Sequence, residues 1–178
     1  MFSKILVAIS ASSADTVLAS AIETARKYHA QIVVLHVVDP TPSYLGAADD
    51  NFGLIVEAMS AHGRKVVAHV RNVLDDQAPE AEVRMVMLPM CGMTVGRAIA
   101  AVAEETGADL ILLGKRSTSR WRWLSEDVAS EVVRRSGRPV QIAADAIALS
   151  SARHAGARWA DVFTARRRPA KTRVRASV

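Results

Sequence analysis

The 178-residue sequence is poor in cysteine and has no long hydrophobic run. Its single cysteine, Cys91, cannot form an internal disulfide, which is typical of a reducing compartment, and we expect it to be a small buried apolar residue. No run of about eighteen apolar residues occurs, and the start, Met-Phe-Ser-Lys-Ile-Leu-Val-Ala-Ile, has too short an apolar stretch for a secretory signal. The sequence therefore predicts a soluble cytoplasmic protein without a transmembrane segment.

Motifs for catalysis and metal binding are also missing. The histidines show no metal-ligand spacing, and the sequence contains neither a nucleophile elbow nor a paired-carboxylate motif. His36 lies inside an apolar run and is expected to be a hydrogen-bonded core residue rather than a base. We therefore expect no metal site, no catalytic residues and a protein that is not an enzyme.

The net charge of +5 is distributed unevenly. Residues 1–145 carry 15 Lys and Arg against 17 Asp and Glu, a net charge of −2, whereas residues 146–178 carry 8 against 1, a net charge of +7. The basic character belongs to the C-terminal segment, so the high isoelectric point does not make the whole chain a nucleic-acid-binding protein.

Five short apolar runs alternate with segments of helical periodicity. The runs are continuous and rich in β-branched residues, which is typical of strands buried on both faces of a parallel sheet. The predicted strands are Lys4–Ile9, Gln31–Val38, Glu82–Leu88, Asp109–Gly114 and Arg138–Ala143. The predicted helices are a segment ending at Tyr28 with Ser12 or Ser13 as its cap, then Leu54–Leu74, Val95–Thr106 and Ser125–Ser136.

This alternation predicts an α/β domain over residues 1–145, a five-stranded open parallel sheet with helices on both faces. The third predicted strand alternates in polarity and is expected near an edge of the sheet. Ligands of such sheets bind outside the carboxyl ends of the strands, so function is to be sought in the turns there. Residues 146–178 are predicted to form a flexible basic tail.

Four sequence motifs are distinctive: Ile5-Leu-Val-Ala-Ile-Ser10, Leu35-His-Val-Val38, Thr106-Gly-Ala-Asp-Leu-Ile-Leu-Leu-Gly114 and Ser130-Glu-Val-Val-Arg-Arg-Ser-Gly-Arg-Pro-Val140. Through these motifs the sequence resembles the universal stress protein family over about residues 3–144. The resemblance implies a Rossmann-like fold of the adenine nucleotide alpha hydrolase type, a homodimer and a role in stress survival rather than a defined reaction.

ATP-binding members of this family have Gly-x-x-Gly, nine residues, then Gly-Ser or Gly-Thr after the fourth strand. Laid onto that pattern, Gly114 matches the first glycine, Ser117 replaces the second, and Asp127-Val128 replaces the last pair. Glycines let backbone N–H groups approach phosphate oxygens, whereas a carboxylate about 4 Å from a phosphate repels it by roughly 4 kcal/mol at an effective dielectric constant of 20. The resemblance is therefore to the branch that does not bind ATP.

ATP binding with a divergent phosphate loop remains the alternative. Four cations, Lys115, Arg116, Arg120 and Arg122, offer a way to hold an anion without glycines, although a solvated loop explains them as well. If a nucleotide binds, the family pattern places it against these positions: Ser10, Ala11, Ser12, Val38, Gly114, Lys115, Arg116, Ser117, Asp127 and Val128.

Two other α/β classes fit less well. A response-regulator receiver needs acidic residues after its first and third strands, and Ser10 and the Pro89–Cys91 turn provide none. A flavodoxin-like carrier is compatible with the hydroxyl-rich turn that contains Ser10, Ser12 and Ser13, but it lacks flanking aromatic residues after the third strand.

We expect a non-catalytic stress-response protein that acts by binding and needs no cofactor. The last strand, 138–144, is expected to pair with a second copy if it lies at a sheet edge. A second alternative is weak binding of nucleic acid or an anionic membrane surface through the basic residues of 153–175, by an attraction that salt would weaken.

Overall fold

The computed structural model describes residues 2–40, 52–89, 92–114 and 127–143. In chain order its elements are β1 (Lys4–Ile9), α1 (Ala14–Tyr28), β2 (Gln31–Val38), α2 (Phe52–Gln77), β3 (Glu82–Met87), α3 (Val95–Thr106), β4 (Leu110–Leu113), α4 (Val128–Ser136) and β5 (Val140–Ile142). Each predicted strand and helix is present, and strands alternate with helices as predicted.

The five strands form one parallel sheet in the order β3-β2-β1-β4-β5. The three middle strands consist almost wholly of buried apolar residues, and the two edge strands are more polar and more exposed. A strand in the middle of the sheet has a neighbouring strand on each side and a helix over each face, so its sequence is a continuous apolar run. An edge strand has solvent along one side, so its sequence is more polar. The predicted edge position of β3 is confirmed, and β5 forms the opposite edge.

Helices cover both faces of the sheet. Val17, Leu18 and Ile22 of α1 pack with Val66 and Val70 of α2 against one face. On the other face, the buried residues of α3 and α4 pack against side chains of the opposite pleat, such as Leu6, Leu35 and Ile111; they are Ile99, Val102, Ala103 and Val132. Because successive strand residues point to opposite faces, each apolar run supplies both cores.

Local capping residues determine several helix ends. Thr94 is the N-cap of α3, where its side chain accepts a hydrogen bond from the N–H of Arg97, and Gly107 ends the same helix in the left-handed conformation. Gly137 ends α4 in the same way. The observed bounds of α3 therefore coincide with the predicted ones.

Asp109 joins the amino ends of β1 and β4. Its carboxylate accepts hydrogen bonds from the N–H and the hydroxyl of Ser3, both at 2.8 Å, and from the N–H of Lys4 at 3.0 Å. Partial desolvation raises the pKa of this carboxyl, but the hydrogen bonds from Ser3 and Lys4 outweigh it, so the net pKa is lowered. Asp109, the aspartate of the Gly-Ala-Asp sequence, thus links the two strands at their amino ends, opposite the carboxyl ends where the ligand site is predicted.

Candidate functional site

The order of the strands determines where a ligand site is expected. From β1 the chain continues to β2 and then β3 on one side of β1, and it then returns to place β4 on the other side of β1. In open α/β sheets the crevice lies at this reversal, outside the carboxyl ends of the strands. The turn Ser10–Ser13 follows β1 and Gly114 follows β4, so the structure brings these predicted residues to that crevice.

The first turn carries a cluster of hydroxyl groups. The Ser10 hydroxyl lies 2.8 Å from the Ser13 hydroxyl and 3.2 Å from that of Ser12. Ser10, Ala11 and Ser12 are exposed. The hydroxyls of this turn are therefore placed at the surface beside the start of α1, where a helix end favours negative charge.

The predicted capping role of Ser12 or Ser13 is wrong as a side-chain interaction. Ser13 occupies the N-cap position of α1, but its side chain makes no capping hydrogen bond. Its backbone has φ −127° and ψ 6°, which is not the extended conformation in which an N-cap side chain reaches back to the helix, and its hydroxyl is paired with Ser10 instead.

Gly114 lies against the first turn of α1. A Cβ atom added there would lie 2.9 Å from the Ser13 hydroxyl oxygen and 2.9 Å from a methyl carbon of Val17. Gly114 does not have a positive φ. Packing between the end of β4 and the start of α1 therefore requires a residue without a side chain, whether or not a ligand binds.

Hydrogen bonds join the carboxyl end of β2 to the chain on both sides of it. The carbonyl of Val38 accepts from the N–H of Leu88 at 2.9 Å, and the ring Nδ1 of His36 lies 3.2 Å from the carbonyl oxygen of Ile9. His36 is buried, and desolvation lowers its pKa, partly offset by the bond to Ile9 and reinforced by His62. A neutral imidazole that donates to Ile9 fits the predicted role of His36 as a hydrogen-bonded core residue.

Asp127 caps α4. Its carboxylate accepts hydrogen bonds from the Ser130 N–H at 3.3 Å and from the Ser130 hydroxyl at 2.6 Å. The next residue, Val128, is half-buried and packs against the core on that face of the sheet. Because Asp127 takes the N-cap position, α4 begins at Val128 rather than at the predicted Ser125.

Several predicted site residues lie outside the described residues. They are Lys115, Arg116, Ser117, Arg120 and Arg122, which follow β4 in the sequence; Cys91, expected to be a small buried apolar residue, also lies outside them. The same holds for the basic tail and for the predicted domain boundary at 145. These expectations stay predictions.

The structure adds one buried contact that the sequence pattern did not indicate. Glu131 of α4 is buried against the start of α3, where it accepts hydrogen bonds from the Thr94 hydroxyl at 2.7 Å and from Arg135 Nε at 3.0 Å. Thr94 directly precedes the predicted helix Val95–Thr106, but the sequence pattern does not indicate that a carboxylate 37 positions later would reach it.

The described residues contain neither a metal-binding cluster nor a membrane-spanning helix. Within the part of the chain that the structure describes, no group of three or more His, Cys, Asp or Glu residues has a geometry suited to a metal ion. None of the described helices is both long enough and apolar enough to cross a membrane.

Comparison with solved structures identifies proteins of the same fold. A universal stress protein family member from Burkholderia pseudomallei is 25% identical, with a TM-score of 0.61 over 81% of this chain and 96% of that one. The universal stress protein UspA from Lactobacillus plantarum is 20% identical, with a TM-score of 0.60 over 80% and 97%. A universal stress protein in complex with cAMP is 21% identical, with a TM-score of 0.56 over 82% and 98%.

The match to a family of sequences agrees with the fold. Among curated proteins, no match was found. The family description "Universal stress protein family" matches residues 1–144, which include every helix and strand of the described sheet. This chain therefore belongs to the universal stress protein family.

Proposed function

We propose that this universal stress protein acts by binding rather than by catalysis, and that ATP is not its ligand. The observation that argues against ATP as the ligand is the N-cap of α4. The Asp127 carboxylate accepts the N–H of Ser130, one of the donors that a phosphate would use at this helix end. A binding site for triphosphate would have to displace a group that already carries negative charge.

The charge of Asp127 opposes ATP as well as occupying a donor. Two unit negative charges about 4 Å apart repel by about 1 kcal/mol in water and about 4 kcal/mol at an effective dielectric constant of 20. Asp127 is exposed, so the smaller value is the more suitable for one phosphate charge. Since ATP places several charges at the phosphate loop, the total still exceeds the gain of about 1 kcal/mol from a backbone hydrogen bond.

Calorimetric titration of the full chain with ATP and magnesium tests this proposal. We expect a dissociation constant weaker than about 10 μM, equivalent to a binding free energy less favourable than about −7 kcal/mol. Asp127→Asn keeps the capping group but removes the charge, and should strengthen any residual ATP binding severalfold. Tight binding by the natural protein would contradict the proposal, and an unchanged Asp127→Asn variant would show that the carboxylate is not the reason.

An adenine nucleotide of lower charge is the second candidate ligand. A protein of the same fold was solved in complex with cAMP, which carries one phosphate charge instead of several. The exposed hydroxyls of Ser10 and Ser12 lie at the crevice where such a ligand would be expected. The same titration with cAMP distinguishes the candidates, because binding of cAMP without ATP favours this second function.

A homodimer through β5 completes the proposal. β5 is an edge strand, and its residue Ile142 is 46% exposed, while Val133 on the neighbouring α4 is 54% exposed. An edge strand presents unpaired N–H and C=O groups, and two exposed apolar side chains beside it add area that a second copy would bury.

Light scattering at micromolar concentration tests the dimer. We expect twice the mass of one chain for the natural protein and a shift toward monomer for Ile142→Lys, because a charge at this edge opposes pairing. Leu54→Lys is the control, since Leu54 is also exposed but lies at the start of α2 on the other side of the sheet. A natural protein that is monomeric throughout contradicts the dimer.

A further inference from the structure

A basic groove runs between α3 and α4 on the solvent side of these helices. The two helices pack side by side over the same face of the sheet, with Glu131 of α4 close to the start of α3. The groove has a volume of about 310 Å³. It is lined by Arg97, Ala100, Ala101, Glu104, Arg135, Ser136 and Arg138.

The lining combines positive charge with small side chains. Three arginines and one glutamate line the groove, so the lining carries a net charge of +2. Two alanines from α3 form part of the wall, and their short side chains leave the space open. Like charges brought together around a groove repel one another, and an anion in the groove removes that repulsion.

Among the described residues, few partners bind the guanidinium donors of this groove. Arg97 uses one N–H for the carbonyl of Gly92, at 2.8 Å, and Arg135 uses its Nε for Glu131, at 3.0 Å. In the part of the chain that the structure describes, the guanidinium of Arg138 makes no hydrogen bond or ion pair. Since each guanidinium has five N–H donors, the three together retain enough to bind an oxyanion at more than one point.

Helix-end electrostatics explain only part of this charge. Arg134 and Arg135 lie in the last turn of α4, where cations offset the partial negative charge of the helix end. Arg97 lies in the first turn of α3, where the partial charge is positive and a cation is unfavourable. The carboxylate of Glu131 offsets the positive partial charge at the start of α3, but it already accepts hydrogen bonds from Arg135 and Thr94. Arg138 follows the Gly137 cap at the carboxyl end of α4, so Arg97 is the cation of the lining that a helix-end role does not explain.

We propose that this groove binds a small phosphate-bearing anion, independently of the crevice at the carboxyl ends of β1 and β4. Planar guanidinium groups match the geometry of phosphate oxygens and bind them through paired hydrogen bonds. The volume lies at the lower end of the range for small-molecule sites, about 300–1,000 Å³. Glu104 repels an anion that extends along the whole groove, which favours a compact ligand over a polyanion.

Titration of the full-length protein with inorganic pyrophosphate at low salt, followed by backbone amide NMR, tests the site. We expect saturable shifts at residues 97–104 and 135–138 with a dissociation constant below about 1 mM. Arg138→Ala should weaken binding about tenfold, because it removes a charged donor without breaking a described side-chain bond. Glu104→Gln should strengthen binding severalfold, because it removes the opposing charge.

Arg134→Ala is the matched control. It removes the same charge four positions earlier in the chain, in the last turn of α4, but Arg134 does not line the groove, so we expect a change of less than about twofold. Equal weakening by Arg134→Ala and Arg138→Ala would indicate general attraction and overturn the site. Shifts confined to other residues, or no saturation by about 10 mM, would also overturn it. Citrate that binds as tightly as pyrophosphate would overturn the assignment to phosphate.

Discussion

Replacing Gly114 with alanine is expected to lower the free energy of unfolding by about 1–3 kcal/mol, and with valine by more. The added Cβ would lie 2.9 Å from both the Ser13 hydroxyl oxygen and a methyl carbon of Val17, closer than side-chain carbons approach other atoms. The residue does not have a positive φ, so backbone strain adds nothing to this cost. Urea unfolding of the natural protein and both variants measures the effect.

Val17, which the added Cβ would contact, allows the cause of the lost stability to be isolated. Val17→Ala shortens one of the two groups that the new Cβ would contact. It also removes buried apolar contacts of its own, but the cost of Gly114→Ala should be smaller in the Val17→Ala background, which is a favourable coupling in a double-mutant cycle. Gly53→Ala is the control for the loss of a glycine as such. A Cβ at Gly53, in the first turn of α2, has no atom within 4 Å, so that change should be neutral or stabilising by up to about 1 kcal/mol.

The Gly114 variants also separate two explanations of a glycine in the family pattern. If Gly114 were present only so that backbone could approach a phosphate, alanine would reduce nucleotide binding and leave stability nearly unchanged. A loss of stability in the absence of any ligand instead assigns the glycine to packing between β4 and α1. An alanine variant as stable as the natural protein would contradict the packing explanation.

The sequence predicted the sheet well because its signal is local. A continuous apolar run such as Leu110–Leu113 indicates burial on both faces, and Thr94 and Gly107 mark the two ends of α3 through their own conformational preferences. The end of α2 was less predictable. Its buried stripe stops at Leu74, but the helix continues through exposed residues to Gln77, where no apolar pattern marks the helix.

The sites were less predictable because they depend on which elements become neighbours. Arg97 and Arg138 are separated by 41 positions, and they line one groove only because α3 and α4 pack on the same face. Ser13 has the residue type of a cap, yet its hydroxyl pairs with Ser10. Gly114 fits both a phosphate loop and a packing contact, and the positions of Ser13 and Val17 distinguish these two.

Loss of Glu131, the buried carboxylate among the described residues, should lower stability substantially. Replacement by alanine is expected to lower the free energy of unfolding by about 2–4 kcal/mol. The variant loses the hydrogen bonds from Thr94 and Arg135 to a charged acceptor, the negative charge at the start of α3, and the packing of the side chain against Gly96. Arg135 is 45% exposed at its side chain, so it can be hydrated and does not add a buried charge.

Two variants calibrate that loss. Glu131→Gln keeps the shape and an acceptor for Thr94 but loses the charge, so a smaller loss of about 1–2 kcal/mol is expected. Glu57→Ala removes an exposed glutamate from α2 and should change stability by less than about 0.5 kcal/mol. Urea unfolding at pH 7 gives all three values, and similar losses for Glu57→Ala and Glu131→Ala would contradict a structural role for the buried carboxylate.

Gly96 provides the sharper test, because its missing side chain leaves the space that Glu131 fills. A Cβ at Gly96 would lie 2.7 Å from Glu131 Oε2 and 2.9 Å from its Cβ. Gly96→Ala should therefore destabilise the natural protein. In the Glu131→Ala background the contacts with the carboxylate and with Cγ are removed, whereas the contact with the Cβ of residue 131 remains. The same change should therefore become less costly without becoming fully neutral, although alanine is favoured over glycine in a helix by about 1 kcal/mol. An equal cost of Gly96→Ala in both backgrounds would mean that the carboxylate does not occupy this position in solution.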